Sequence, residues 1–171
     1  GTTGNPTFAV SGDVPAIAAF LDQRVETSMF PLANLLGHGL GRDRPRQMRF
    51  WVAGVPLTGV IGLSGAGMVL PQIDPSQADA AARAMAGLPV AGLAGESAQL
   101  RALIPALGLS AAPMKMNHDE PQFSLHLSDL ILPDCTGLRL IPAADAPRDL
   151  LVAWRAAYDV EVLGGTRGVA E

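Results

Sequence analysis

Hydrophobic positions recur along this chain in two rhythms, every third or fourth residue and every second, and their alternation lays out the elements. Thr7-Phe8-Ala9-Val10 predicts a short strand. Ser11-Gly12-Asp13-Val14-Pro15 follows, where Asp13 can cap a helix and Pro15 is tolerated in its first turn. Ile17, Phe20, Leu21 and Val25 then carry a helix over roughly 14–24. Thr27-Ser28 caps a second helix bearing Met29, Leu32, Ala33, Leu35 and Leu36, which stops in the glycine-rich run Gly37 to Gly41. Met48 to Val52 reads as a buried strand and Gly54-Val55-Pro56 as its turn. Thr58 to Ser64 is its antiparallel partner, and Gly67 to Pro71 is a third strand. Asp74-Pro75-Ser76 opens a helix with Ala78, Ala81, Ala82 and Met85. Pro89 to Ala94 reads as a short buried strand of the parallel kind. Ser97 caps a helix with Leu100, Leu103, Ile104 and Leu107, ended by Gly108. After a loop from Ser110 to Pro121, Phe123, Leu125 and Leu127 alternate with Ser124, His126 and Ser128, the period of a half-buried strand over Gln122 to Leu132. The fold class expected is α/β, more narrowly an α+β mixed sheet in the order β-α-α-β-β-β-α-β-α-β with helices on its faces.

Beyond Gly137 the pattern begins again. Leu138 to Pro142 predicts a strand, Asp145-Ala146-Pro147 repeats the Asp-x-Pro opening of the first helix, and Leu150, Leu151, Trp154 and Tyr158 predict a helix. Val160, Val162 and Leu163 continue its apolar face to Gly164-Gly165. The division expected is a domain over 1–134 and the start of a second, incomplete one over 135–171. Gly1 to Thr7 reads as a mobile end, and Gly164 to Glu171 is too short and glycine-rich to finish a domain.

Composition narrows the classes. Of the 171 residues, 49% are hydrophobic and 16% charged, which supplies a sizeable core and excludes wholesale disorder. The net charge of −4 argues against sequence-independent nucleic-acid binding. Lys115 is the only lysine among the 12 basic residues. One cysteine, Cys135, allows no internal disulfide and fits a reducing compartment. No apolar run reaches membrane-spanning length and no signal-peptide pattern opens the chain, so no membrane contact and a cytoplasmic location are expected.

Few residues offer chemistry. Gly62-Leu63-Ser64-Gly65-Ala66-Gly67 has a phosphate-loop-like glycine spacing, but it precedes a strand, so no helix dipole backs it and a bulge or tight hairpin is the competing reading. Arg42-Asp43-Arg44-Pro45-Arg46 is a basic loop, suited to a phosphate or carboxylate or simply to solvent. His118, Asp119, Glu120 and His126 have metal-ligand chemistry, yet they sit mostly on a loop without fixed support, and no metal site is expected. Cys135 has no histidine nearby in sequence. The Gly-x-Ser-x-Gly elbow of hydrolases is absent, because Ala66 follows Gly62-x-Ser64-x.

The element order resembles that of the GNAT superfamily of N-acetyltransferases. Glu26-Thr27-Ser28-Met29-Phe30 with Ala33-Asn34-Leu35, and Trp154 to Glu161, look like segments of bacterial GNAT-like proteins built as two tandem halves. The resemblance implies acetyl transfer from acetyl-CoA to a small-molecule or peptide amine. It also implies that the second half generally carries the cofactor, so this first half shapes the acceptor side or docks the missing C-terminal half. In the family, an Arg/Gln-x-x-Gly-x-Gly/Ala motif after the fourth strand holds the pyrophosphate on backbone N–H groups. Gln72 can open that motif, but Pro75 stands where the first glycine belongs and Asp74 adds negative charge. Gln72, Gly62, Gly65 and Gly67 are therefore the cofactor-binding candidates. Acetyl transfer also asks for a base and often an acid. Glu26, Glu96 and Glu120 lie off the strands expected to border the cleft, and Tyr158 falls in the second opening, so no catalytic residue is assigned. A non-enzymatic binding or dimerisation module, with homodimer formation, is the alternative. A small acetyltransferase using Gly62 to Gly67 as its cofactor loop is a third reading.

Overall fold

In the computed structural model, which describes residues 7–164, β1 (Ala9–Ser11), β2 (Met48–Ala53), β3 (Gly59–Ser64), β4 (Met68–Gln72) and β5 (Gly92–Leu93) form one sheet in the order β1-β2-β3-β4-β5. β1 to β4 pair antiparallel, with Trp51 opposite Ile61 and Ile61 opposite Pro71. β5 runs parallel to β4, Val69 facing Leu93. The architecture is mixed α/β.

Every residue of β3 is buried, as the central strand of a sheet covered on both faces must be. One face carries Met48, Phe50, Val60 and Leu70 and packs against Ile17, Phe20 and Leu21 of α1 (Val14–Asp22) and Leu32 and Leu35 of α2 (Val25–His38). The other carries Trp51, Ile61, Leu63 and Val69 and packs against Ala78, Ala81 and Met85, on and just after α3 (Ala78–Ala84), and Leu103 of α4 (Ser97–Ala106). The alternation of β2 residues between the two clusters follows from the two-residue strand period.

Local chemistry explains the helix ends. Asp13 caps α1 by accepting the Ala16 N–H at 3.2 Å. α2 starts earlier than its sequence signal, at Val25, and breaks at Ser28, whose hydroxyl donates to the Leu21 and Arg24 carbonyls instead of accepting from the helix. That break places Pro31 near the start of the remaining helix, where its missing N–H costs little. α4 is capped by Glu96, whose carboxylate accepts from the Ala98 and Gln99 N–H groups, so the expectation of Ser97 as the cap is corrected. Pro89 to Ala94 pairs only at Gly92–Leu93 and is half-buried there, shorter and more open than its apolar run suggests.

The chain divides into two compact units, Gly1–Ala112 and Pro113–Glu171, ahead of the 134/135 boundary read from the sequence. The second unit holds α5 (Arg148–Glu161), preceded by single 3-10 turns at Leu127–Asp129 and Ala143–Asp145. Two expected strands are corrected. Neither Gln122 to Leu132 nor Leu138 to Pro142 is a strand, so the tenth element of the expected order is missing among the described residues. Alternation makes a strand only where another strand takes its N–H groups and a core takes its apolar face; Phe123 and Leu127 are instead 86% and 82% exposed. The readings of Gly1 to Pro6 and of Gly165 to Glu171 lie outside the described residues.

Candidate functional site

The turn leaving β4, Gln72 to Gln77, is where the sheet would present a ligand to a helix N-terminus. Backbone N–H groups are the donors a phosphate-binding turn relies on, so their partners bear on what this turn can hold. Ile73 donates to the Gln99 side-chain oxygen at 2.9 Å, and Asp74 donates to the Gln77 side-chain oxygen at 3.0 Å. Pro75 has no N–H. Ser76 donates to Asp74 Oδ1 at 2.9 Å, and Gln77 donates to the Asp74 carbonyl at 2.8 Å. The Ala78 N–H goes to the Pro75 carbonyl. Each donor from Ile73 to Ala78 is already bonded within the chain.

The side chains that close the turn are themselves built in. Gln77 and Gln99 are buried. Gln77 donates through Nε2 to the Thr58 hydroxyl at 3.2 Å, and it lies against Gly59, where a side chain would meet its oxygen at 2.6 Å. Gln99 sits on α4, two positions after the Ser97 start of the helix. Pro71 lies against Gly95, and β5 pairs with β4 at Met68 and Val69. Asp74 and Gln77 form a reciprocal capping box. The Ser76 hydroxyl also donates to Asp74 Oδ1, at 2.6 Å; with the Ser76 N–H, it holds the Asp74 carboxyl below its usual range. A carboxylate thus occupies the position at the helix start that an anionic ligand would need.

The cofactor candidates fall in two places. Gln72 ends β4, and its side-chain oxygen accepts the Thr27 hydroxyl at 2.6 Å, tying the strand to α2. Gly62 lies inside β3 opposite Phe50 and Leu70, where an added Cβ would run into the Met48 methyl group and come within 2.9 Å of the Phe50 ring. Gly65 and Gly67 shape the β3–β4 hairpin. Gly65 donates to the Gln47 carbonyl at 2.9 Å, Ala66 to the Pro45 carbonyl at 3.0 Å, and Gly67 to the Ser64 carbonyl at 2.9 Å. Met68 donates to the Ser64 hydroxyl at 3.1 Å. Gly67 adopts φ +85°, the left-handed region that glycine tolerates. These glycines turn the chain and let a neighbouring loop approach; their N–H groups are not free for a phosphate.

The remaining candidates are dispersed. Glu26 is exposed on the first turn of α2, Glu96 caps α4, and Glu120 meets His118 at 2.9 Å on the surface of the second unit. Tyr158 is on α5 with the Arg155 guanidinium 5.5 Å from its ring. Cys135 is exposed. Among the described residues no group of three or more His, Cys, Asp or Glu is placed to hold a metal ion, and no helix is long and apolar enough to cross a membrane. Sequence reasoning missed Gln77 and Gln99, which close the turn. The only signal available for either was the spacing of Gln77 three residues after Asp74, that of a capping box.

Comparison with protein-family models, curated proteins and solved structures returns no match.

Proposed function

We propose that this chain is the non-catalytic first half of a tandem GNAT-type N-acetyltransferase, one in which the turn after β4 has given up cofactor binding. In this reading it shapes the acceptor side of the site, or the interface with a second half that holds acetyl-CoA, for a small-molecule or peptide amine. The element order from β1 to α4 and the parallel β4–β5 pair support the fold assignment. The observation that carries the loss of cofactor binding is the bonding of every N–H from Ile73 to Ala78 inside the chain, with the Asp74 carboxylate at the helix start.

Amide NMR with acetyl-CoA added to this chain tests it at the residues concerned. The expected spectrum shows no shift at Ile73, Asp74, Ser76 or Gln77 up to millimolar cofactor. Saturable micromolar shifts at those amides would reverse the assignment.

A second reading, a binding or dimerisation module without acetyl chemistry, is favoured by one observation. Leu150, Trp154 and Tyr158 on α5 and Val162 just after it follow one another at four-residue intervals and all are exposed, Trp154 by 65%. Sedimentation of the chain across concentrations, alongside acetyl-CoA thiol release by the natural protein with a panel of amines, separates the readings. Thiol release supports the first; self-association without any release supports the second.

A further inference from the structure

Arg42 to Arg46 connects α2 to β2, and its sequence reads first as a solvated linker, with an anion site as the alternative. The structure makes it neither loose nor extended. Arg44 to Gln47 is a turn closed twice, the Gln47 N–H donating to the Arg44 carbonyl at 3.2 Å and the Arg44 N–H to Gln47 Oε1 at 3.1 Å. Pro45 restricts the backbone inside that turn. At its base Gly41 donates to the Met48 carbonyl at 3.0 Å and Met48 to the Gly39 carbonyl at 3.1 Å. The β3–β4 hairpin then fastens the loop from outside, through the Gly65 and Ala66 N–H groups on the Gln47 and Pro45 carbonyls. The Arg42 and Arg44 carbonyls both turn onto Gly65, close enough to the Arg44 oxygen that no side chain fits there.

This frame presents three arginine side chains to solvent. Arg42, Arg44 and Arg46 are all exposed and form no ion pair among the described residues. With Asp43 as the one carboxylate in the segment, three positive charges less one negative leave +2 in five residues, in a chain whose net charge is −4. Three cationic side chains within five successive residues repel one another, and an anion relieves that repulsion. The loop backbone is already fixed by these hydrogen bonds, so binding need not order it.

We propose that the Arg42–Arg46 loop is a binding site for a small molecule carrying a di- or triphosphate group. Guanidinium forks match paired phosphate oxygens and bind them through two parallel hydrogen bonds. The positive segment is short and the rest of the chain is net negative, so a compact, multiply charged ligand is retained where a long polyanion would run onto like charge. The site is separate from the turn after β4, and the inference does not depend on the acetyl-transfer reading.

Calorimetric titration of the whole chain with inorganic tripolyphosphate at low salt tests it, with a hexaglutamate peptide and a short DNA duplex in parallel. Saturable tripolyphosphate binding is expected, weakened by added salt. Each single Arg→Gln change should weaken it about three-fold and the triple change roughly thirty-fold, as exposed ion pairs do. Changing all three to lysine keeps the charge and loses the forks, so several-fold weakening is expected there too. Circular dichroism of these surface variants should match the parent. No binding to the parent, unchanged binding by the triple glutamine or triple lysine variant, or tighter binding of the peptide or the duplex would each overturn the proposal.

Discussion

Gly62 and Gly65 stand three residues apart, one buried and one exposed, and exposure alone ranks their tolerance wrongly. An alanine methyl at Gly62 meets the end of the Met48 side chain, which can swing aside, and the Phe50 ring edge. Gly62→Ala should cost about 1–3 kcal/mol, the usual range for overpacking a core. At Gly65 the methyl meets the Arg44 carbonyl, which is backbone and fixed by its own hydrogen bonds. Gly65→Ala is therefore expected to destabilise at least as much, although Gly65 is exposed, as read by urea unfolding of the two variants. Equal stability of Gly65→Ala and the parent would contradict the fastened loop. Asp74 makes a prediction in pH. Its carboxyl is held below the ordinary value of 3.8, chiefly by the Ser76 hydroxyl and then by the Ser76 N–H. A lowered folded value means that the stabilisation is present above the unfolded value and is lost as pH falls through the folded one. Between about pH 6 and about pH 2 the Tm of the parent should fall more than that of Asp74→Asn, by a few degrees at most for so exposed a group. Parallel curves would remove the cap from the account. Asp74-Pro75 could be seen to spoil a phosphate turn from the sequence. Gln99 could not, because nothing in a sequence pairs a carboxamide with an N–H 26 residues away.

At the scale of elements, what the sequence revealed depended on how local the cause was. Helices α1, α3 and α4 announce themselves through apolar spacing and caps within a few residues, and the β2–β3–β4 antiparallel run through short turns between apolar stretches. The 122–132 segment has an equally clean alternation and forms no strand, because pairing is a property of two segments and a period belongs to one. α4 shows the converse, a helix whose position matters beyond its own packing. Leu103 anchors it in the core, fully buried, and Gln99 reaches from it to the turn after β4. Gln99→Leu keeps the apolar volume but leaves the buried Ile73 N–H without an acceptor, which should cost about 1–3 kcal/mol. Leu103→Ala opens a cavity and should cost about 2–5 kcal/mol. The two are separable by hydrogen exchange. Gln99→Leu is expected to speed exchange mainly at Ile73 and its neighbours, and Leu103→Ala across the whole first unit. Exchange at Ile73 unchanged in Gln99→Leu would show that the turn is held without the carboxamide.

For the whole molecule the argument turns on where burial lies. Every buried core residue among those described precedes Ala112, the last being Leu103 on α4. Both faces of the sheet find their covering helices before that point, α1 and α2 on one side and α3 and α4 on the other. From Pro113 onward no described residue is fully buried, and Phe123, Leu140 and Trp154 stand well exposed. A helix the length of α5 is marginal in water without packing, since nucleation is unfavourable and most helical stability in proteins comes from an apolar face that is covered. Cutting the chain after Ala112 should therefore leave a fragment that unfolds cooperatively, with a Tm within a few degrees of the parent, while a fragment starting at Pro113 should show little helix by circular dichroism. A first fragment that melts without cooperativity would mean that residues beyond Ala112 complete its core. A strongly helical second fragment would mean that α5 is stabilised within its own unit, by contacts such as the Arg155–Asp159 pair, more than its exposure suggests.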